Sequence, residues 1–430
     1  MSQYIGHDGG IENRNRSGQA KARPAERTVP SMANAAVMGQ AQFEASPLTQ
    51  PAAAVRQRLQ SIDALRGLVM VIMLLDHVRE TWFLHMQVTD PMDAASVAPS
   101  LFFTRLVSNL CAPVFVALTG LGAWLYTQSH SKAEASTFLL KRGVFIMFLE
   151  VTLITMAWTS KLPPTFWLQV IWAIGLSMVA LAALLHLPRK VLFAIGLAIV
   201  CGHNLLDPIH LEPGHPLYVP WAMLHQRDMI DLPFGLMAKT TYPVLPWIGV
   251  ISLGYAMGPW FAKGSDAGVR QKRLMLLGLG MLAAFVVLRF LDVYGDKPWT
   301  AGETPLRTFM AFIALTKYPP SLLFLLPTLG IGALLLSQFE KVQGQGWMNA
   351  LAVFGAAPMF FYVLHLYVLR ALYMTALYIW GPNHGEFFGV DNIAWVWIWY
   401  AGLLPVLYVP TVWFSKLKAR RRDIAWLKYL

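Results

Sequence analysis

Charged residues and cysteines are both scarce in this sequence of 430 residues. Asp, Glu, Lys and Arg together make up 13% of the chain, against about 25% in an ordinary soluble domain. The two cysteines, Cys111 and Cys201, lie inside apolar runs, which argues against a disulfide framework and says nothing about the redox compartment. A chain of this length with so little charge lacks the composition of a soluble globular protein.

The familiar motifs of soluble catalysis are also absent. The chain has no phosphate-binding P-loop, no Gly-x-Ser-x-Gly turn, no His-Glu-x-x-His pair and no Cys-x-x-Cys pair. These absences argue against ATPase and hydrolase functions. The histidines are scattered without the spacing of metal ligands, so no metal is predicted.

Long apolar runs are abundant. Hydrophobic residues make up 56% of the chain, and the mean hydropathy is +0.49. Runs of about twenty apolar residues, the length that crosses a bilayer as a helix, recur along most of the sequence. They predict an all-α polytopic membrane bundle of about ten spans. The predicted spans cover residues 62–84, 102–126, 138–159, 166–187, 191–206, 243–261, 272–292, 319–338, 350–379 and 393–415.

The net charge of +11 is distributed as in a membrane protein, and nucleic acid is not a predicted partner. Basic loops follow the even-numbered spans, acidic loops follow spans 1, 5, 7 and 9, and both ends of the chain are basic. The positive-inside rule then places both termini in the cytoplasm, as an even number of spans requires. The sequence therefore predicts a multi-pass protein of the cell inner membrane.

Three segments divide the chain. Residues 1–55 are rich in small and polar residues without periodicity, which predicts a disordered cytoplasmic tail. They lack a basic start followed by an apolar core and a cleavage site, so no signal peptide is expected. Residues 56–418 form the predicted membrane domain, with an ordered external cap at about 207–242 and a further helix at about 305–316. Residues 419–430 form a basic cytoplasmic tail.

The first span raises a question about its ionisable residues. The stretch "SIDALRGLVMVIMLLDHVRETWFLHM", residues 61–86, has an apolar middle and ionisable groups at both ends. On a helix, Arg66 and His77 share a face because they are about three turns apart, and Asp63 and Glu80 flank that face. Charged groups in lipid are costly and usually face a bundle interior, which predicts one polar stripe on an inner helix.

Each of these groups also has a purely structural interpretation. Asp63 and Arg66, near the interface, could cap and anchor the helix. Asp76 and His77 lie deeper, where an unpaired polar pair is harder to explain without a function, and Asp76 or Glu80 could orient His77. Arg79 is predicted to point elsewhere and extend toward the membrane interface.

Further polar groups lie in other spans. Glu150 is a lone carboxylate in the third span and needs a proton or a partner, for which Arg66, Arg105 and Arg142 are candidates. Arg105 and Asn109 lie toward the outer end of the second span. His365 lies among aromatic residues of the ninth span, where a core histidine is a common alternative to a functional one. His85 follows the first span, where substrate and solvent can reach it.

Seven segments resemble bacterial membrane proteins grouped with the heparan-alpha-glucosaminide N-acetyltransferase catalytic domain. The likeness covers about residues 58–380, and the segments occur in the same order. They are "SIDALRGLVMVIMLLDH", "CAPVFVALTG", "LKRGVFIMFLEVT", "LQVIWAIGLSM", "YPVLPWIGVISLGYAMG", "TKYPPSLLFLLPTLG" and "FGAAPMFFYVLHLYVL".

The resemblance implies a membrane acyltransferase that uses acyl-CoA, expected to be acetyl-CoA, from the cytosol to modify a sugar or glycan acceptor. In the named enzyme a histidine soon after the first span serves the reaction, and "ETWFLHM" makes His85 the matching residue. In related membrane acyltransferases the histidine ends the first span, which matches His77. Both remain candidates, with His77 first because it is buried; Asp76 and Glu80 complete the catalytic set. Arg66, Asp63, Arg105, Asn109, Glu150 and His365 are candidates for binding the substrate or acyl-CoA.

Two other functions fit the same residues. In a transporter for a small polar or anionic solute, the buried charges would form the binding site and a proton relay. In a structural membrane protein they would only fix helix packing. The apolar outer surface, in contact with the bilayer, is compatible with a monomer and with a homo-oligomer.

Overall fold

The computed structural model describes residues 50–86, 92–159, 165–421 and 423–430. Residues 1–49, which make up most of the predicted N-terminal tail, lie outside this part of the chain. Residues 87–91, 160–164 and 422 also lie outside it. The helices are α1 (Gln50–Trp82), α2 (Pro99–Val107), α3 (Cys111–Tyr126), α4 (Lys132–Leu149), α5 (Thr155–Trp158), α6 (Val170–Leu184), α7 (Arg189–Gly202), α8 (Tyr218–Leu224), α9 (Leu245–Ala256), α10 (Ala267–Leu291), α11 (Pro305–Ile313), α12 (Leu322–Lys341), α13 (Gly346–Ala356), α14 (Pro358–Trp380) and α15 (Ile393–Arg420).

Within the described residues, six helical segments are long and apolar enough to cross a membrane. Two shorter apolar helices, α6 and α9, lie among them. These lengths support a multi-pass membrane protein, while the count of ten spans stays a prediction. The six segments are Pro99–Tyr126, Arg189–Leu206, Ala267–Leu291, Leu322–Lys341, Pro358–Trp380 and Ile393–Arg420.

Helix α1 is not among the six, although it lies at the centre of the bundle. It contacts α3, α12, α13, α14 and α15, and its apolar side chains Leu65, Leu74 and Val78 are almost fully buried. The ionisable residues at its two ends lower its apolar character. A central helix can carry such residues because it is shielded from lipid by the helices around it.

A small sheet makes the all-α prediction incomplete. Strand β1 (Thr165–Leu168) pairs in parallel with β3 (Leu236–Thr240), and β2 (Met229–Leu232) pairs antiparallel with β3. The strands are only four or five residues long, too short to show a clear alternation of apolar and polar residues. The sheet and α8 give the predicted cap an ordered structure, but β1 comes from outside the range 207–242.

The ninth predicted span is two helices. Residues 350–379 were predicted to form one long helix, and the structure ends α13 at Ala356 and begins α14 at Pro358. The cause is local, because Pro358 lacks a backbone N–H and disfavours helical backbone in the residue before it. Ala357 accordingly adopts a non-helical conformation, with φ −132° and ψ 54°. The further helix expected at about 305–316 is confirmed as α11.

Two faces of the bundle can be defined by their residues. The sheet face carries β1–β3, α8 and α11. The basic face, at the other end of α1, carries Arg66, Arg142 and Lys418; here Arg66 donates to the carbonyl of Gly355 at 3.1 Å, and Lys418 donates to that of Ala356 at 3.0 Å. α1 begins and α15 ends on the basic face.

Candidate active site

A large cavity opens among the helices toward the sheet face. It has a volume of about 1120 Å³ and is lined by residues of α1, α2, α3, α6 and α14 and by the loops around residues 92–95, 296–303 and 314–318. Its wall includes four ionisable residues near the C-terminal end of α1, which are Asp76, His77, Arg79 and Glu80. Asp63 and Arg66 do not line it. The predicted stripe on α1 is therefore divided between the cavity and the basic face.

His77 meets a second histidine across the bundle. Its Nδ1 lies 2.6 Å from Nε2 of His365 on α14, and the two rings are stacked with centroids 4.9 Å apart. His365 is fully buried and His77 is 8% exposed, on the cavity side. The rings of Trp158 and Tyr362 pack edge-on against the ring of His77, with centroid distances of 5.4 Å and 5.7 Å. These contacts hold the imidazole in one orientation.

The hydrogen-bond chain assigns the protons of the neutral pair. Nδ1 of His365 lies 2.7 Å from the carbonyl oxygen of Phe361, which can only accept, so this nitrogen carries the hydrogen. Nε2 of His365 then has a free lone pair and accepts from Nδ1–H of His77. The lone pair of His77 remains on Nε2, the nitrogen that a base or a nucleophile would use.

Asp76 binds arginines rather than His77. Its Oδ2 lies 2.6 Å from Nη1 of Arg105, and its Oδ1 lies 2.9 Å from Nη2 of Arg79. Arg79 also reaches Oε1 of Glu80 at 3.3 Å. The structure thus corrects two predictions: Arg79 faces the cavity instead of the membrane interface, and a histidine, not Asp76 or Glu80, holds His77. The spacing of Asp76 and Arg79, three residues apart on α1, was a usable signal for their ion pair. The contact of Arg105 with Asp76 joins two helices, so it depends on how they pack.

Arg105 continues the polar wall into two tyrosines. Its Nη2 donates to the hydroxyl of Tyr318 at 3.2 Å, and the hydroxyls of Tyr318 and Tyr242 are 3.3 Å apart. Both tyrosines line the cavity. Sequence reasoning missed them because they lie in loops without periodicity, although the cluster of aromatic and basic residues in "LTKYPP" was a usable signal.

Asn109 lies beside the same cavity and has a buried acceptor without a partner. The residue is 4% exposed, it lines the cavity, and its Oδ1 has no hydrogen-bond partner within the described residues. A buried polar atom without a partner costs free energy, about 1–3 kcal/mol in proteins, and such atoms are often explained by a ligand or water. Asn109 is therefore a polar position beside the cavity that the packing of the protein alone does not explain.

Glu150 does not reach the cavity or any of its three predicted partners. It is 1% exposed at the start of a π-helical turn, Glu150–Ile154, and its carboxyl lies against backbone N–H groups of Gln169, Ile171 and Trp172 at the beginning of α6. Unsatisfied N–H groups at a helix start attract carboxylates. Glu150 therefore contacts the start of α6, and of the two alternatives, a proton or a charged partner, pairing with one of the three candidate arginines is not found.

His85 lies away from the cavity lining. Its ring stacks on that of His384 with centroids 3.7 Å apart, and His384 lies 2.9 Å from Asp391. Burial and the neighbouring His384 lower the pKa of His85 from its usual range. Neither ring nitrogen of His85 has a hydrogen-bond partner among the described residues. His85 and His77 thus occupy separate environments in this structure.

The passage toward the basic face is closed. A second cavity of about 10 Å³, lined partly by Arg142, shares Phe115, Ile171, Ile174 and Met359 with the large one. This volume accommodates about one water-sized sphere. These four apolar side chains lie between the large cavity and Arg142 on the basic face. In the described residues no group of three or more His, Cys, Asp or Glu side chains is arranged to hold a metal ion.

Comparison with known proteins gives one match. A family model described as heparan-alpha-glucosaminide N-acetyltransferase, catalytic, matches residues 58–291, more than half of the chain. The matched range contains His77, Asp76, Arg105 and Asn109, whereas His365 lies beyond it. No curated protein matches the chain.

Proposed function

Because the chain belongs to the heparan-alpha-glucosaminide N-acetyltransferase catalytic family, a family of membrane acetyltransferases, we propose that it transfers an acyl group from acyl-CoA to a sugar-type acceptor. The acyl group is acetyl, and the acceptor atom is an amine or hydroxyl. The reaction takes place in the large cavity, with His77 as the base or as the acyl carrier.

One observation carries this proposal. The hydrogen-bond chain from Phe361 through His365 leaves the lone pair of His77 on Nε2, at the wall of a cavity large enough for a sugar and a thioester. Acyl transfer needs a positioned group that takes a proton or attacks a carbonyl, and imidazole does either near neutral pH. A histidine that only filled the core would not need a cavity beside it.

In direct transfer, His77 acts as a general base. Nε2 takes the proton of the acceptor N–H or O–H while that nitrogen or oxygen attacks the thioester carbonyl carbon. The C–S bond then breaks, and the proton passes from the imidazolium to the leaving thiolate. Nδ1–H stays bonded to His365 throughout, which holds the ring in place.

In two-step transfer, His77 carries the acyl group. Nε2 attacks the carbonyl carbon, and the thiolate leaves with a proton from solvent. The acceptor then attacks the acyl-imidazole, loses its own proton to solvent, and regenerates the neutral ring. In both routes the carbonyl oxygen gains negative charge, and the amide NH2 group of Asn109 is the lining donor assigned here to that charge.

The basic face is the proposed entry for acyl-CoA. Arg66, Arg142 and Lys418 lie close enough to repel one another electrostatically. Asp63 lies beside them and forms an ion pair with Arg66 at 2.7 Å. Phosphate groups bind to clustered arginines and lysines. For the thioester to reach His77, the side chains around Met359 must move, so the closed passage is a gate in this proposal. Both termini and this face are assigned to the cytoplasm, and the protein to the cell inner membrane.

Purified protein in detergent and radiolabelled acetyl-CoA test the proposal. Label should appear on a glucosamine-type acceptor, and His77→Ala should lower the rate by about 100-fold or more because it removes the base or carrier. His186→Ala, an exposed histidine outside the cavity, is the matched control and should behave as wild type. Label retained on the protein without acceptor would select the two-step route.

Two outcomes would overturn the assignment. If His85→Phe abolishes transfer and His77→Ala does not, the reaction belongs to the site beside His384. If proteoliposomes move a polar solute without acyl-CoA and no acceptor is labelled, the chain is a transporter and the cavity is its solute site.

A further inference from the structure

We propose that the cavity contains an anion subsite, formed by Lys317 and Arg227 around the ring of Tyr318, that binds an acid group of a substrate. The inference rests on the proposed function, since it names a chemical feature of what that site takes. Its ligand carries a phosphate, sulfate or carboxylate group close to the reacting atoms.

Most cations in the cavity wall are already engaged. Arg79 and Arg105 share Asp76, as described above. Arg289 donates to backbone carbonyls of Phe312, Lys297, Ala311 and Ala314, and Arg307 donates to those of Ala94 and Val97. These four arginines are held by the protein itself and have little capacity left for a ligand.

Lys317 and Arg227 differ from those four. Both line the cavity, and within the described residues neither side chain makes an ion pair or a hydrogen bond. Each is placed over the ring of Tyr318, with Cζ of Arg227 at 5.1 Å and Nζ of Lys317 at 5.5 Å from its centroid. Lys297, the remaining lining cation, is exposed and lies over no aromatic ring in this part of the chain.

Tyr318 is a fixed support for the two cations. Its hydroxyl is held by Arg105 at 3.2 Å and by Tyr242 at 3.3 Å. A cation over an aromatic face is attracted by about 0.5–2 kcal/mol, which orients the charge but does not neutralise it. Both charges lie within 5.5 Å of one ring centroid, so the potential around that ring is positive, and an anion bound there would be stabilised.

The carboxylates nearby are committed elsewhere. Asp76 binds two arginines, and Glu80 lies 3.3 Å from Arg79. Asp296 accepts from the backbone and hydroxyl of Thr316 and from the hydroxyl of Ser321. The protein therefore leaves a positive position in the cavity, next to Arg105 and hence next to the helix turn that carries His77. Positive groups in a concave site concentrate and orient anionic ligands.

Two substrates could supply the acid group. An acidic substituent on the acceptor sugar would bind there while its amine or hydroxyl faces His77. Alternatively, the diphosphate of CoA would bind there, with the donor entering from the sheet face. The shared chemistry is an anionic oxygen group bound by an ammonium and a guanidinium.

Titration calorimetry on the full chain tests the subsite without turnover. The probes are glucosamine 6-phosphate against glucosamine, and acetyl-CoA against S-acetyl-pantetheine, which lacks the diphosphate. Lys317→Gln and Arg227→Gln should weaken binding of an anionic probe about ten-fold or more, because charge-assisted bonds are lost, and leave its neutral counterpart unchanged. Lys263→Gln, an exposed lysine outside the cavity, is the matched control.

The outcomes separate the two sources and the two proposals. If the glutamine variants lose affinity for glucosamine 6-phosphate, the subsite binds the acceptor. If they lose affinity for acetyl-CoA, it binds the donor. Lys317→Arg should restore binding, which separates lost charge from misfolding. Phosphate-dependent binding that persists in His77→Ala supports the subsite even if catalysis fails. If wild type binds neither anionic probe, or if both glutamine variants bind them as wild type does, the subsite does not exist.

Discussion

At the scale of single residues, His77 and His365 show how one residue type serves two roles. Both are histidines in apolar helices, yet one borders a cavity and the other is fully buried between a carbonyl and the first ring. The sequence indicated both as candidates but ranked His365 as a binding residue. In the proposed mechanism, the contact between them makes His365 a positioning residue, because it fixes the tautomer of His77.

The role of His365 can be tested by two variants of similar size. His365→Phe removes the acceptor for Nδ1–H of His77 and should lower kcat at least about ten-fold with little change in KM, because the ring loses its orientation and tautomer. His365→Gln should retain more activity, since its amide can accept from His77 and donate to Phe361. Steady-state kinetics with saturating acetyl-CoA measures the difference. Equal losses in both variants would mean that packing alone matters.

At the scale of elements, close helix crossings set the positions of the site residues. α3 and α9 approach so closely that a Cβ on Gly120 would collide with the backbone oxygen of Ile251, and a Cβ on Gly254 with that of Ala117. Small residues allow such crossings in membrane helices, where packing replaces the hydrophobic effect as the driving force. α3 lines the cavity, so the way α3 crosses α9 affects the shape of the cavity.

Two glycines of α3 provide a matched test of this crossing. Gly120→Ala should lower the unfolding temperature in detergent and destabilise the fold by about 1–3 kcal/mol, because backbone atoms cannot move aside easily. Gly122→Ala should be neutral or slightly stabilising, since nothing lies within 4 Å of its added Cβ and alanine favours helix. Thermal unfolding of the two purified variants gives the comparison. Similar unfolding temperatures would show that the crossing tolerates expansion.

A proline and a buried carboxyl group lie at two helix boundaries that the hydropathy pattern did not predict, the break between α13 and α14 and the start of α6. Pro358 divides the ninth predicted span, and the carboxyl of Glu150 lies against backbone N–H groups at the start of α6, just after the short strand β1. Hydropathy reports burial averaged over about twenty residues, so it does not resolve a break of one residue or a strand of four.

At the scale of the whole molecule, the cavity and the basic face lie at opposite ends of α1. The cavity opens toward the sheet face, and the cations Arg66, Arg142 and Lys418 mark the other face. An acyl group delivered from the basic face would cross the closed gate at Met359 to meet its acceptor. The topology of the chain therefore decides which substrate comes from which side.

Reporter fusions test that topology. A fluorescent protein fused after Leu430 should be fluorescent and alkaline phosphatase fused there should be inactive, because the positive-inside rule places the basic C-terminus in the cytoplasm. Alkaline phosphatase inserted at Gly214, an exposed loop position on the sheet face, should be active and serves as the opposite control. Activity of the phosphatase at Leu430 would reverse the orientation and place donor entry on the other side.

Sequence alone determined that this chain is a helical membrane protein of an acetyltransferase family and that α1 is an inner helix with ionisable residues. Those conclusions follow from local properties, since a span must be apolar along its length and a charge within it must be shielded. Only the tertiary structure brought together His77 and His365, 288 residues apart, and placed Lys317 and Arg227 around Tyr318. The reason is geometric: which side chains meet depends on how the helices cross and rotate, and no single segment contains that information.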